Sequence, residues 1–329
     1  MIDTIRGTLE VPFKISAMAD LPEEWEYKKV RTTENDRATT THLFYHKPTG
    51  LRLHGRTWYN DQEYGYEPKY VDGTPICTSV EVAMPRLIHE SNSVLISDED
   101  MLHEAYSSLK YLMIQVLEYD QLPRYTRVDL VWQFRGNMID YINSFRSVRH
   151  PNIRGGQIIY EGETIQWKGH RLDILMYDKL KEKGIRWKQD TSTVRVEVRL
   201  RNQTKNIQEQ LTKPCIGGRE LDFEKCYTTY RENLLKLESK PMETYKTKGA
   251  YEVLAYVKAH GVTDHQGRPL VDMATQNLTR SGRYAMIKKL EGLVAKHRMV
   301  TFRKLLPEEQ MPEVVNVYAQ GKDESVKVA

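Results

Sequence analysis

Tyr177, Lys179, Asp129, Glu197 and Glu81 are the residues whose types and spacing could do chemistry in this chain. Tyr177 lies in Arg171-Leu-Asp-Ile-Leu-Met-Tyr-Asp-Lys179, where Lys179 follows two positions later on the same face of an extended backbone. Asp129 sits in Arg127-Val-Asp-Leu-Val-Trp-Gln-Phe134, Glu197 in Val194-Arg-Val-Glu-Val-Arg-Leu-Arg201, and Glu81 in Ser79-Val-Glu-Val-Ala-Met84. All four runs alternate apolar and polar residues with period two, as strands with one buried face do. If they share a sheet, one face carries a tyrosine, a lysine and three carboxylates flanked by arginines. A phenol has a pKa of about 10 and is a weak nucleophile at neutral pH. A cation within about 4–6 Å favours its phenolate. Mg²⁺ or Mn²⁺ takes oxygen ligands and polarises phosphate oxygens. The set suits metal-assisted attack of tyrosine on a phosphodiester, with a covalent intermediate that conserves the phosphate bond.

The same residues also have a plainer reading. The chain holds 20 tyrosines, and a strand tyrosine usually packs. Alternating Arg and Glu on a strand usually form ion pairs on a solvated face.

The elements that must position these residues follow from the patterning. Fragments near Thr41–Tyr45, Leu51–Tyr59 and Ile76–Met84 read as strands, separated by turn chemistry at Pro48-Thr-Gly50 and Asp72-Gly73. Ser97-Asp-Glu-Asp100 reads as a capping box opening a helix. Leu102, Tyr106, Leu109, Met113, Val116 and Leu117 form that helix's apolar stripe, with Pro123 as its stop. A shorter helix is expected around Met138–Phe145. Gln157–Tyr160 and Thr164–Trp167 should form a hairpin leading into the Tyr177 strand. Helices are expected at Asp222–Leu237 and Thr247–Ala259. Over Met273–His297 the pattern suggests two helices joined by a turn at Thr279-Arg-Ser-Gly282, as in a helix-turn-helix.

This pattern predicts an α+β fold: an antiparallel-rich sheet with helices on one face and the other face open, plus a smaller, mostly helical C-terminal domain. The expected division is a catalytic domain over 1–205, a helical connector over 206–245, and a basic helical or winged-helix-like region over 246–329 with a frayed tail.

Composition bounds the function classes. Hydrophobic residues make up 40% and charged residues 29% of the chain, as expected of a soluble folded protein. No run approaches the roughly 18 apolar residues of a membrane span, and Met1-Ile-Asp-Thr-Ile-Arg6 lacks the build of a signal peptide. Cys77, Cys215 and Cys226 have no metal-ligand spacing and are expected as reduced thiols in a cytoplasm. The net charge of +4 is small, so its distribution matters more. Arg280, Arg283, Lys288 and Lys289 belong to a basic segment suited to phosphate contacts, as are Arg127, Arg195, Arg199 and Arg201 on the polar strand faces.

Taken in order, Met1-Ile-Asp-Thr-Ile-Arg6, the Glu81 strand running into Pro85 and Asn92, Arg127-Val-Asp129, Tyr177-Asp-Lys179 and Arg195-Val-Glu197 resemble the replication initiators of filamentous single-stranded-DNA phages. The later motifs also resemble Rep-trans-type initiators of rolling-circle plasmids. The resemblance spans residues 1–205 and implies a nicking and joining enzyme acting in a host cytoplasm. It implies Tyr177 as the nucleophile that forms a 5′-phosphotyrosyl link, Lys179 as its cation, and Asp129, Glu197 and Glu81 as ligands of Mg²⁺ or Mn²⁺. It further implies origin DNA, single- and double-stranded, as the partner, with a host helicase and polymerase. The implied core is like that of HUH endonucleases, but no histidine–apolar–histidine triplet exists here. His42 and His46 have the wrong spacing and are expected in core or surface roles. Two alternatives stay open: a metal nuclease that hydrolyses DNA without a covalent intermediate, and an origin-binding protein with no enzymatic activity.

Overall fold

Ile5, Gly7, Leu9 and Val11 alternate with Arg6, Thr8 and Glu10, and this period-two pattern folds as the first strand, β1, Ile2–Pro12. Gly7 interrupts the apolar phase of β1, which weakens its strand signal in the sequence. A Cβ on Gly7 would lie 2.6 Å from Pro123 Cβ and 2.8 Å from the Arg124 carbonyl oxygen. The glycine therefore permits a close backbone approach that no side chain allows.

The computed structural model describes residues 1–34, 37–57, 73–89, 94–145, 148–154, 157–160, 163–179, 192–239, 279–285 and 288. The fold is α+β, with antiparallel strands and few helices. It comprises two units: Met1–Leu130 with Leu200–Tyr227, and the described residues of Val131–Arg199 and Thr228–Ala329. The region expected as one domain over 1–205 thus contributes to both. Among the described residues, no helix is long and apolar enough to cross a membrane.

In the first unit, β2 (Trp25–Glu34), β3 (Arg37–His46), β4 (Arg52–Thr57), β5 (Pro75–Ala83), β1 and β6 (Arg124–Gly136) lie in the order β2-β3-β4-β5-β1-β6. Every pairing along this row is antiparallel. Ile5, Leu9, Leu53, Val80 and Val82 are buried, while Arg6, Thr8 and Arg52, in the opposite phase, are exposed.

After the short helix α1 (Ile15–Ala19), the long helix α2 spans Glu99–Val116. Its cap is Asp98, one residue beyond the expected Ser97, and the Asp98 carboxylate accepts from the Met101 amide at 2.9 Å. The expected apolar stripe is buried. The helix ends well before Pro123, because Leu117 turns extended and bridges Phe13. Tyr106 of α2 and Tyr125 of β6 share a buried hydrogen bond of 2.8 Å.

The segment expected as a helical connector holds α4 (Thr204–Leu211), a hairpin of β12 (Thr212–Cys215) and β13 (Gly218–Leu221), and α5 (Phe223–Leu235). Gly217 and Gly218 form the turn at φ +85° and +142°, a region open to glycine. The Tyr125 hydroxyl donates to the Arg219 carbonyl at 3.0 Å, and the Leu221 amide donates to the Tyr106 hydroxyl at 3.0 Å. The two tyrosines thereby pin the hairpin to the first unit.

In the second unit the order is β6-β11-β10-β9-β8, with β8 (Gln157–Tyr160), β9 (Thr164–Trp167), β10 (Leu172–Asp178) and β11 (Ser192–Arg201). The β8–β9 hairpin and the helix α3 (Met138–Phe145) fall where the sequence places them. β7 (Val148–Arg149) pairs with β14 (Glu238–Ser239), and the Trp167 indole donates to the Val148 carbonyl at 2.8 Å. Near the C-terminus, residues 280–285 are helical. The Thr279 carbonyl accepts from the Arg283 amide at 2.7 Å and its hydroxyl from the Gly282 amide at 3.2 Å. Thr279-Arg-Ser-Gly282 is therefore a helix start rather than the expected turn. The helix expected over Thr247–Ala259 lies outside the described residues.

Candidate active site

The spacing Arg-x-acid occurs in both β6 and β11, and strand geometry explains it. Residues i and i+2 stand on one face roughly 6.6–6.8 Å apart along the strand, a span that an arginine side chain covers. In β6, Arg127 Nε donates to Asp129 Oδ1 at 2.9 Å and Nη2 to Oδ2 at 2.5 Å. This is a bidentate pair on a carboxylate only 1% exposed. In β11, Arg199 Nη2 donates to Glu197 Oε2 at 3.0 Å, and Arg195 Nε lies 3.9 Å from Oε1.

The second oxygen of Glu197 meets the tyrosine. The Tyr177 hydroxyl donates to Glu197 Oε1 at 2.6 Å, a short charge-assisted bond that fixes the phenol oxygen. Lys179, buried just beyond the end of β10, has its Nζ 5.8 Å from the centroid of the Tyr177 ring. Tyr177 itself is half-buried. Tyr177, Lys179, Glu197, Arg195 and Arg199 thus lie together in the second unit.

Tyr230, which the sequence does not single out, is buried in the second unit and feels the charge of Glu197. It sits in the buried stripe Cys226, Tyr230, Leu234 of α5, a helical repeat that reads only as packing. Burial, and next the charge of Glu197, hold its hydroxyl well above the ordinary tyrosine range. Asp173 shares the phase of Tyr177 but is buried and accepts from the Gly169 amide at 2.8 Å; it holds the turn before β10.

Glu81, in the first unit, is half-buried and lies opposite Arg6 on one side and Arg52 on the other. Arg195, expected as a DNA contact, is instead wholly buried beside Glu197. Its apolar neighbours Val194 and Val196 are buried too, so β11 is covered on both faces and the guanidinium becomes an internal counter-ion. Arg201 is half-buried; Arg280 and Lys288 are exposed and Arg283 is half-buried. Lys289 and Asn92 lie outside the described residues. His42 and His46 are buried in the first unit. His42 contacts the Tyr27 hydroxyl at 2.8 Å and the Thr57 hydroxyl at 2.6 Å, and His46 contacts the Thr49 hydroxyl at 2.8 Å. Burial lowers both imidazoles from their ordinary range.

Among the described residues, no group of three or more His, Cys, Asp or Glu side chains could hold a metal ion. Asp129 and Glu197 are each already bonded to an arginine. A closed cage made of protein ligands alone does not fit these residues.

No protein-family profile matches the chain, and no curated protein matches it. Among solved structures, the chain is similar to a rolling circle replication initiator protein from Geobacillus stearothermophilus. The two are 16% identical over 64% of this chain and 77% of that one, with a TM-score of 0.35.

Proposed function

We propose that this protein is a rolling-circle replication initiator that nicks one strand of origin DNA and rejoins the displaced strand through a tyrosine. The observation that carries this reading is the 2.6 Å bond from Tyr177 to Glu197, with Lys179 beside the ring. A buried carboxylate that aims a half-buried phenol, next to a cation, is more than packing requires.

Attack would form a bond from the Tyr177 oxygen to the scissile phosphorus and break the bond to the 3′-oxygen. The phenol proton passes to Glu197 as attack proceeds, and the leaving 3′-oxygen takes a proton from solvent. Lys179 favours the phenolate by its charge. Arg199 and Arg195 hold Glu197 in place. In the second transfer a 3′-hydroxyl loses its proton to solvent and attacks the phosphorus, the Tyr177 O–P bond breaks, and the proton on Glu197 returns to the phenol oxygen.

The proposed cofactor is Mg²⁺ or Mn²⁺, in the open arrangement where one or two carboxylates share the ion with substrate phosphates. Glu197 is the candidate ligand in the second unit, and Asp129 and Glu81 are those in the first. Such an ion supplies charge stabilisation at the phosphate oxygens. Origin duplex and single strand are the proposed partners, with a host helicase and polymerase downstream, in a host cytoplasm.

The deciding experiment incubates full-length protein with an origin-derived suicide oligonucleotide, with Mg²⁺, Mn²⁺ or chelator. A covalent protein–DNA adduct is expected from the wild type and none from Tyr177→Phe, with origin binding retained. An adduct that persists in Tyr177→Phe removes Tyr177 as nucleophile. A nick that leaves a free 5′-phosphate points to hydrolysis. Binding without any nick favours the non-enzymatic origin-binding reading, to which the arginine-paired state of Asp129 and Glu197 also lends support.

A further inference from the structure

The open sheet face of the first unit carries arginines and rings that take no part in the proposed attack by Tyr177. Cross-strand register lines up Tyr45 of β3, Arg52 of β4, Glu81 of β5, Arg6 of β1 and Arg127 of β6 in one row. At about 4.8 Å between strands, this row is roughly 19 Å long. The adjacent row on the same face runs His54, Ser79, Thr8 and Arg124. Bulges at Thr78 of β5 and at Thr126 of β6 accompany the register shifts in these ladders, and the exposed phase stays facing outward.

The chemistry of the patch is specific. Arg6, Arg52, Arg124 and Thr8 are exposed; Tyr45, His54, Ser79 and Glu81 are half-buried. The Arg52 guanidinium stands 5.8 Å over the Tyr45 ring. Arg127 is neutralised by Asp129, which leaves Arg52, Arg6 and Arg124 against Glu81 alone across both rows. Exposed guanidinium groups interleaved with an aromatic ring and small hydroxyl side chains, on a flat open sheet, match a single nucleic-acid strand. Its phosphates meet the cations and its unstacked bases find ring faces. A duplex offers the phosphates but hides the base faces in its stack, so the two rings would have nothing to stack on.

We infer that this face, through Arg6, Arg52, Arg124, Tyr45 and His54, is a docking site for single-stranded DNA. The arginines hold phosphates and the Tyr45 and His54 rings act as stacking platforms. The inference rests on the replication-initiator reading and adds to it the surface that receives the unpaired strand.

The test uses full-length protein carrying Tyr177→Phe, so that no covalent step intrudes, and a fluorescein-labelled oligothymidylate followed by anisotropy across a salt series. Single strands lose about 0.7 in the slope of log K against log salt per phosphate contact removed. Arg6→Gln with Arg52→Gln should therefore flatten the slope by about 1.4. Tyr45→Leu should weaken binding roughly 5- to 150-fold with the slope unchanged. Lys205→Gln, an exposed change on α4, should leave both values as they are. Unchanged affinity and slope in the patch variants, with unaltered thermal melts, overturn the inference. Equal competition by duplex DNA of the same length overturns the assignment to a single strand.

If a patch variant fails to fold, photo-crosslinking of the Tyr177→Phe protein to an iododeoxyuridine oligonucleotide decides instead. Crosslinks at Tyr45 or His54 support the site, and crosslinks confined to other peptides overturn it. The adduct assay separates this inference from the reading beneath it. Patch-dependent binding without a Tyr177 adduct in the wild type removes the nicking role and leaves the surface standing. An adduct formed by patch variants that bind like wild type does the reverse.

Discussion

The Tyr177 hydroxyl donates to Glu197 Oε1 across 2.6 Å, and Arg199 holds the other oxygen of the same carboxylate at 3.0 Å. One buried acid therefore aims the phenol and balances a guanidinium. A change at Glu197 must act on both, and the two effects can be measured separately.

Glu197→Gln keeps the shape but removes the charge. Adduct formation should slow by about 10²-fold or more, the usual scale for losing a positioned proton acceptor. Stability should fall as well, because buried Arg195 and half-exposed Arg199 lose their counter-charge; breaking a buried pair costs about 3–5 kcal/mol. Quench-flow adduct kinetics and urea midpoints read the two effects independently. An unchanged adduct rate would show that Glu197 has only a structural role.

Arg127→Ala strands the Asp129 carboxylate, which is 1% exposed and accepts from Nε and Nη2 of that guanidinium. The expected loss is about 3–5 kcal/mol, discounted toward the lower end because Arg127 keeps 28% of its side chain exposed. Adding Asp129→Asn should restore part of it. A double-mutant cycle in urea gives the coupling, and a coupling near zero would mean that the pair behaves as a surface contact.

Tyr106→Phe removes one hydroxyl that bonds the Tyr125 hydroxyl and the Leu221 amide in a buried setting. Leaving these groups without that partner should cost about 1–3 kcal/mol. Hydrogen exchange should rise first at the Leu221 amide, because the β12–β13 hairpin loses its tie to α2. Exchange that rises uniformly along the chain would argue against this hairpin-specific role.

His150 sets an acid limit on stability. Burial, and next the charge of Lys236, push its imidazole down to about 4, against about 6.5 for an unfolded histidine. Between those values the unfolded chain binds the extra proton, so unfolding becomes easier as pH falls. The His150 contribution is complete above pH ~6.5, declines through the window and levels off near pH ~4. Denaturant midpoints across this range should fall less steeply in His150→Gln than in the wild type. Parallel profiles would remove His150 as the cause.

Much of the fold was legible because its signals are local. The alternation around Tyr177, Asp129 and Glu197, the stripe of α2 and the β8–β9 hairpin each follow from backbone period and side-chain phase. β1 escaped notice because a packing glycine occupies an apolar slot of its pattern. The β12–β13 hairpin was hidden inside a stretch with helical flanks, although Pro214 and Gly217-Gly218 carry its turn chemistry. Tyr230 gave no distinguishing signal, since a buried tyrosine at helical spacing reads as core.

The sequence by itself determined which side chains share a strand face, and with them the Arg127–Asp129 and Arg199–Glu197 pairs. Those pairs join residues two apart, so strand geometry alone brings them within reach. Only the tertiary structure decided that Tyr177 bonds to Glu197, that Arg195 is an internal counter-ion, and that Arg52, Glu81 and Arg6 align across three strands. These relations depend on cross-strand register and burial, which non-local packing sets and a period-two pattern does not specify.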